Sequence, residues 1–133
     1  MIRGSCLCQR VTFEITQEPE ELCNCHCSMC RKAHGAAFAT FVRVRAAGFR
    51  FLTGENHLVR YRSSPPVERS FCDSCGAPLL FLHDALPDIA WLVAGTLDND
   101  PGIRPSSHIF VSFKAPWHDI TDSIPRYPDY PLA

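Results

Sequence analysis

The sequence predicts a mainly β fold of short strands with cysteine knuckles and one short helix. Three observations predict it. Apolar and polar residues alternate in short segments, eight cysteines are bunched in three places, and eleven prolines leave little uninterrupted chain for helices. Val11, Phe13 and Ile15 alternate with Thr12 and Glu14, and Phe38, Thr40, Val42 and Val44 alternate with Ala39, Phe41 and Arg43. Phe49 to Leu52 and His57 to Tyr61 continue the pattern, as expected of strands with one buried face. Leu79 to Leu82, Ile89 to Leu97 and Ile109 to Phe113 are continuous apolar runs bounded by Pro, Gly or Asp, which fits strands covered on both faces. The helix is expected over residues 28–34, capped by Ser28 and ended by Gly35 in the left-handed conformation. Residues 119–133, rich in proline, are expected to lie as an extended arm on the surface of a single domain spanning 1–133.

Charge excludes several classes of function. Thirteen Lys and Arg against fourteen Asp and Glu give a net charge of −1, so no basic field for nucleic acid is expected. The N-terminal residues lack the apolar stretch of a secretory signal. No apolar run approaches the ~20 residues that span a bilayer. A cytoplasmic protein is therefore expected, and in a reducing compartment closely spaced cysteines act as metal ligands more readily than as disulfides.

The cysteines fall into pairs and a cluster. Cys72-Asp-Ser-Cys75-Gly76 is a two-cysteine knuckle: its turn brings both sulfurs to one side, and Gly76 permits the positive φ that lets backbone N–H groups approach them. Cys6-Leu-Cys8 sets two more side chains on one face of an extended segment, and the four together make a closed, structural zinc cage if the fold joins them. In Cys23-Asn-Cys25-His-Cys27-Ser-Met-Cys30, the Cys27/Cys30 pair enters the helix, whose first-turn N–H groups favour thiolate over thiol. Cys25 adds a third sulfur, and three ligands with a vacant corner is the arrangement of catalytic zinc. Spacing leaves open whether Cys23 is a fourth ligand that closes this site. His26 points away from its cysteine neighbours on an extended strand and reads as a supporting residue, while His108 at a strand start is a candidate site residue.

At this point the residues resemble the glutathione-dependent formaldehyde-activating enzymes and their relatives, which include centromere protein V. The resemblance rests on Gly4-Ser-Cys-Leu-Cys8, Cys25-His-Cys-Ser-Met-Cys-Arg-Lys-Ala-His-Gly35, Tyr61-Arg-Ser-Ser-Pro65, Arg69-Ser-Phe-Cys-Asp-Ser-Cys-Gly76, Gly95-Thr-Leu-Asp98, and Pro105-Ser-Ser-His-Ile-Phe110 with Lys114 and Trp117. It implies a β-tent fold of twisted antiparallel sheets, two zinc ions per chain, and a carbon–sulfur lyase acting on S-hydroxymethylglutathione, the adduct of glutathione and formaldehyde, or on a similar small thiol adduct. It further implies that Cys6, Cys8, Cys72 and Cys75 hold the structural zinc and that Cys25, Cys27 and Cys30 hold the catalytic one. For the chemistry itself, a proton donor to the developing alkoxide would help, and His108 and a bound water are the candidates. The family pattern has no cysteine at the place of Cys23. The competing expectation is a zinc-stabilised binding module or thiol-adduct carrier without catalysis. Oligomeric state has no sequence signature here.

Overall fold

The alternating segments become ten short strands arranged in two sheets. The computed structural model describes residues 1–130. Strands β1 (Ile2–Ser5), β2 (Thr12–Ile15) and β5 (Phe49–Thr53) form an antiparallel sheet in the order β1-β2-β5. The larger sheet contains β3 (Glu21–Cys25), β4 (Ala39–Arg45), β6 (Leu58–Ser64), β7 (Val67–Cys72), β8 (Pro78–His83), β9 (Ile89–Val93) and β10 (Pro105–Ile109). Its order is β10-β3-β4-β9-β8-β7-β6, antiparallel throughout except for the parallel pairing of β10 with β3.

The period-two pattern sorts the large sheet into two faces. Leu22, Val42, Val44, Leu80, Ala90 and Leu92 point one way and bury against Val11, Phe13 and Ile15 of the small sheet and its approach. Burial is worth about 1.5–3 kcal/mol for each large side chain. Close contact between β1 and β2 depends on Gly4, because a Cβ there would stand 2.1 Å from the Phe13 ring. The opposite face carries Cys23, Cys25, Ala39, Phe41, Ile89, Trp91, Val93 and Ile109, a second cluster on which the functional features are built. Strand β9 sits between the two clusters and is buried along its whole length, as its unbroken apolar run predicts.

Helix α1 (Ser28–His34) has the expected bounds, and Gly35 ends it at φ 61°, ψ 41°. Its cap differs from expectation. The Cys27 side chain, one residue before Ser28, accepts the Cys30 N–H at 3.3 Å, so a thiol takes the place of the hydroxyl. The apolar run Ile109 to Phe113 does not continue as a strand: Phe110 turns into the left-handed region at φ 56°, and residues 111–113 form a 3₁₀ turn.

The proline-rich segment lies along β10. The His108 N–H donates to the Pro125 carbonyl at 2.9 Å, the Tyr127 N–H to the His108 carbonyl at 2.8 Å, and the Val111 N–H to the Tyr127 carbonyl at 3.0 Å. Residues 125–129 thus occupy the edge of the sheet that β10 would otherwise leave open. Residues 131–133 of the expected arm lie outside the described residues.

Candidate functional site

Two sulfur clusters form. The first joins Cys6 and Cys8, which follow β1, to Cys72, which ends β7, and Cys75, in the turn after it. The Cys6 and Cys8 sulfurs are 3.6 Å apart and those of Cys8 and Cys72 are 3.8 Å apart. Four sulfurs about 2.3 Å from a central zinc stand about 3.8 Å from one another, so the donor set and spacing fit a tetrahedral thiolate cage. Backbone donors already point at it: the Val11 N–H reaches the Cys6 sulfur at 3.3 Å and the Ser74 N–H reaches that of Cys72 at 3.4 Å. Backbone N–H groups of Ala77 and Cys8 hold the Cys75 thiol down to about 6. Gly76 has φ 74°, the conformation the knuckle requires.

Cys25, Cys27 and Cys30 make the second cluster, with sulfurs within 4.8 Å of one another. Cys25 ends β3, Cys27 caps α1, and Cys30 lies on the buried side of the helix. The Cys25 sulfur, and then that of Cys30, hold the Cys27 thiol down to about 2, while contact with Cys27 and Cys30 pushes Cys25 well up. Crowding of the three sulfurs opposes negative charge on all of them at once. A divalent ion removes that repulsion, so the trio suits a soft metal with three thiolate ligands. The Cys23 sulfur is outside both clusters among the described residues. Burial, then the Glu21 carboxylate, pushes its thiol up to about 12.

The trio opens on a cavity of about 400 Å³ whose walls include Phe41, Phe81, Trp91, Ile109, His83 and Tyr130, with Cys23 also on the lining. A second cavity of about 530 Å³, lined by Lys32, His34, Tyr61, Ser63 and Phe71, adjoins it. The two share Met29, Phe41, Arg69 and Phe81. Arg69 is fixed between them. Its Nε donates to Ser63 Oγ at 2.9 Å, its Nη2 to the Cys30 sulfur at 3.5 Å, and its guanidinium carbon lies 5.0 Å from the Phe81 ring centre. On the cavity wall, the Ala85 N–H donates to His83 Nδ1 at 3.1 Å, which leaves the proton of the neutral ring on Nε2.

His108 stands elsewhere. It pairs with Asn24 on the face of β3 opposite Cys23 and Cys25, and it lines neither cavity. It is 2% exposed and joins a chain of three side chains. Asp122 accepts from His108 Nε2 at 3.0 Å, and the other His108 nitrogen, Nδ1, is 2.8 Å from His26 Nε2. Since Asp122 fixes the proton on Nε2, Nδ1 is the acceptor and His26 Nε2 the donor. The chain ties the arm to the segment between Cys25 and Cys27.

Comparison with known proteins decides the family. The family model described as glutathione-dependent formaldehyde-activating enzyme matches residues 1–113. The chain belongs to that family. A protein of Halomonas elongata named "Putative glutathione-dependent formaldehyde-activating enzyme" is 26% identical over 145 aligned positions, covering 100% of this chain and 92% of its own. A Schizosaccharomyces pombe protein named as an uncharacterized lyase is 33% identical over 81 positions, covering 60% of this chain and 56% of its own. The crystal structure of a Rhodobacter sphaeroides protein superimposes with a TM-score of 0.62 at 20% identity, covering 93% of this chain and 98% of that one. That last likeness concerns the fold.

Within this formaldehyde-activating-type fold, the cysteine spacing alone does not bring forward Arg69, His83 or Asp122. Arg69 lies three residues before Cys72 on β7, and its pattern is that of any half-exposed strand residue. His83 ends the apolar run of β8. Asp122 has no signal, because its role depends on the arm folding back onto β10.

Proposed function

We propose that this chain is a zinc-dependent carbon–sulfur lyase that forms and cleaves the adduct of a small thiol, of the glutathione type, with formaldehyde. The observation that carries the reading is the convergence of Cys25, Cys27 and Cys30 at the wall of an apolar cavity, with Cys23 outside the trio. These three residues would hold one zinc and leave a corner facing the cavity. Cys6, Cys8, Cys72 and Cys75 would hold a second in a closed cage. Zinc held by the trio supplies a dication that favours thiolate over thiol and draws electron density from a carbonyl oxygen.

The chain's own residues do the rest. In the addition direction the thiol gives up its S–H proton, its sulfur forms a bond to the formaldehyde carbon, the carbonyl π pair moves to oxygen, and that proton, carried by solvent, ends on the oxygen; cleavage is the reverse. The walls of Phe41, Phe81, Trp91 and Ile109 exclude water and hold a one-carbon aldehyde close to the thiol, and such positioning is worth more here than strong polarisation by a zinc already surrounded by three thiolates. His83 lines the cavity with Nε2–H as its donor and steadies the forming alkoxide by a hydrogen bond. His108 acts from behind the cysteine segment, through His26. We read residues 1–133 as one domain serving this site.

Two zinc ions per chain and a change in the visible spectrum of the cobalt-substituted protein on adding glutathione are the expected results. One zinc per chain, or a spectrum indifferent to glutathione, overturns the reading. Cys23→Ser separates the open site from a closed one: zinc content stays at two, whereas a binding module closed by Cys23 would lose metal from the middle site.

A further inference from the structure

We propose that Arg69 selects the nucleophile: its hydrogen bond to Cys30 keeps a metal-ligating sulfur from competing with the sulfur of the incoming thiol for the aldehyde. The inference deepens the lyase reading above and rests on it. With metal held by Cys25, Cys27 and Cys30 and a thiol in the fourth corner, four sulfurs of one kind compete for a small electrophile. Addition to a ligand is a dead end. The S–C bond forms, the carbonyl π pair moves to oxygen and takes a proton from water, hydroxide is left, and the cysteine becomes a neutral thioether in place of a thiolate ligand.

The protein distinguishes the sulfurs by what donates to them. Arg69 Nη2 donates to the Cys30 sulfur at 3.5 Å, while its Nε is anchored on Ser63 Oγ at 2.9 Å and its guanidinium carbon lies 5.0 Å from the Phe81 ring centre. The charge is therefore held in place. No carboxylate offsets it: among the described residues Arg69 forms no ion pair, whereas Glu20 meets Arg43 and Arg45, Glu14 meets Arg50, Glu68 meets Arg60 and Asp84 meets Arg62. Cys27 accepts the Cys30 N–H at 3.3 Å, and Cys25 is buried. A hydrogen bond to a thiolate lowers its lone pairs in energy, and nucleophilicity falls with basicity. A thiol arriving from solution brings no such donors, so its sulfur remains the most reactive. The four-cysteine cage supplies the contrast. The Val11 and Ser74 N–H groups reach its sulfurs, and among the described residues no Lys or Arg side chain does. A closed cage admits no substrate and has no competition to suppress; the cation stands at the open trio.

The test uses the metal-loaded chain and needs no turnover. In the cobalt form, sulfur-to-metal charge-transfer absorption moves to lower energy when a ligand thiolate loses a charged donor. Arg69→Gln is expected to move it so, and Arg69→Lys to stay near wild type. In the zinc form, light iodoacetamide followed by unfolding and a heavy-isotope reagent reports by mass spectrometry which sulfurs reacted, each S–C bond forming as iodide leaves. Cys30 is expected to label about tenfold faster in Arg69→Gln than in Arg69→Lys, two variants that both shorten the side chain and differ in charge. Cys8 of the cage labels alike in both and serves as the internal reference. Ser63→Ala, which frees the guanidinium from its anchor, moves both readouts the same way by less, and it carries the test if Arg69→Gln fails to hold two zinc ions. A charge-transfer band unmoved in Arg69→Gln and Ser63→Ala, or equal labelling of Cys30 in the Gln and Lys variants, overturns the masking of Cys30. The thiol reading is judged separately, by the response of the wild-type cobalt spectrum to glutathione.

Discussion

His26, His108 and Asp122 show how a few side chains fix the cysteine segment. Each proton position in the chain is set by the next residue, starting from a carboxylate that can only accept. Asp122→Ala leaves the buried His108 Nε2–H without its partner and is expected to destabilise the fold by about 1–3 kcal/mol in chemical denaturation. Asp122→Asn retains an acceptor oxygen and recovers most of the loss. The histidine on the cavity wall is expected to behave differently. His83→Gln lowers kcat with little change in KM or in denaturation midpoint; a loss of stability with kcat unchanged would remove His83 from the site.

At the scale of elements, helix α1 is short, and its two ends carry opposite burdens. Cys27 at the N-terminus both caps the helix and contributes to the sulfur trio, so capping and metal chemistry cannot be separated by substitution there. Gly35 at the other end can be tested alone: a methyl group added at its Cα would meet nothing within 4 Å, so Gly35→Ala isolates the cost of φ 61°, expected at about 1 kcal/mol from thermal unfolding. This helix is legible in the sequence because Gly35 and the flanking strands bound it, but its cap lies one residue earlier than the general preference for hydroxyl capping predicts. The strands β4, β8 and β9 are legible because alternation or continuous apolarity records which faces are covered. The run Ile109 to Phe113 misleads for the opposite reason. Phe110 takes a left-handed conformation, stabilised by residues of the arm, that no local pattern encodes. Spacing pairs Cys6 with Cys8 and Cys72 with Cys75 but neither joins the two pairs nor decides Cys23, and Arg69 and Asp122 likewise acquire their partners only through contacts between distant segments.

For the whole molecule, acidification works against the fold through its buried imidazoles. Burial, and then the Arg69 charge, lowers the His34 pKa from 6.5 to about 4; burial, and then His108, lowers that of His26 to about 4. The unfolded chain takes up these protons near 6.5 and the folded chain resists until about 4, so the unfolded state binds more protons throughout that window and stability falls as pH drops across it. The metal-free protein is therefore expected to melt at a lower temperature at pH 5 than at pH 7, with His34→Gln narrowing the difference. Proton competition for the thiolates acts in the same direction when metal is bound.

The parallel pairing of β10 with β3 also sets an order of events. His26 and His108 are 82 positions apart, and the partners of β3 on that edge are made long after Cys23 to Cys30. Closing so distant a pairing is slow compared with forming the neighbouring hairpins. During synthesis Cys25, Cys27 and Cys30 therefore leave the ribosome well before β10, the strand that pairs with β3 on that edge. A chain truncated before Pro105 keeps all three of these cysteines but lacks the strand that closes this edge of the sheet.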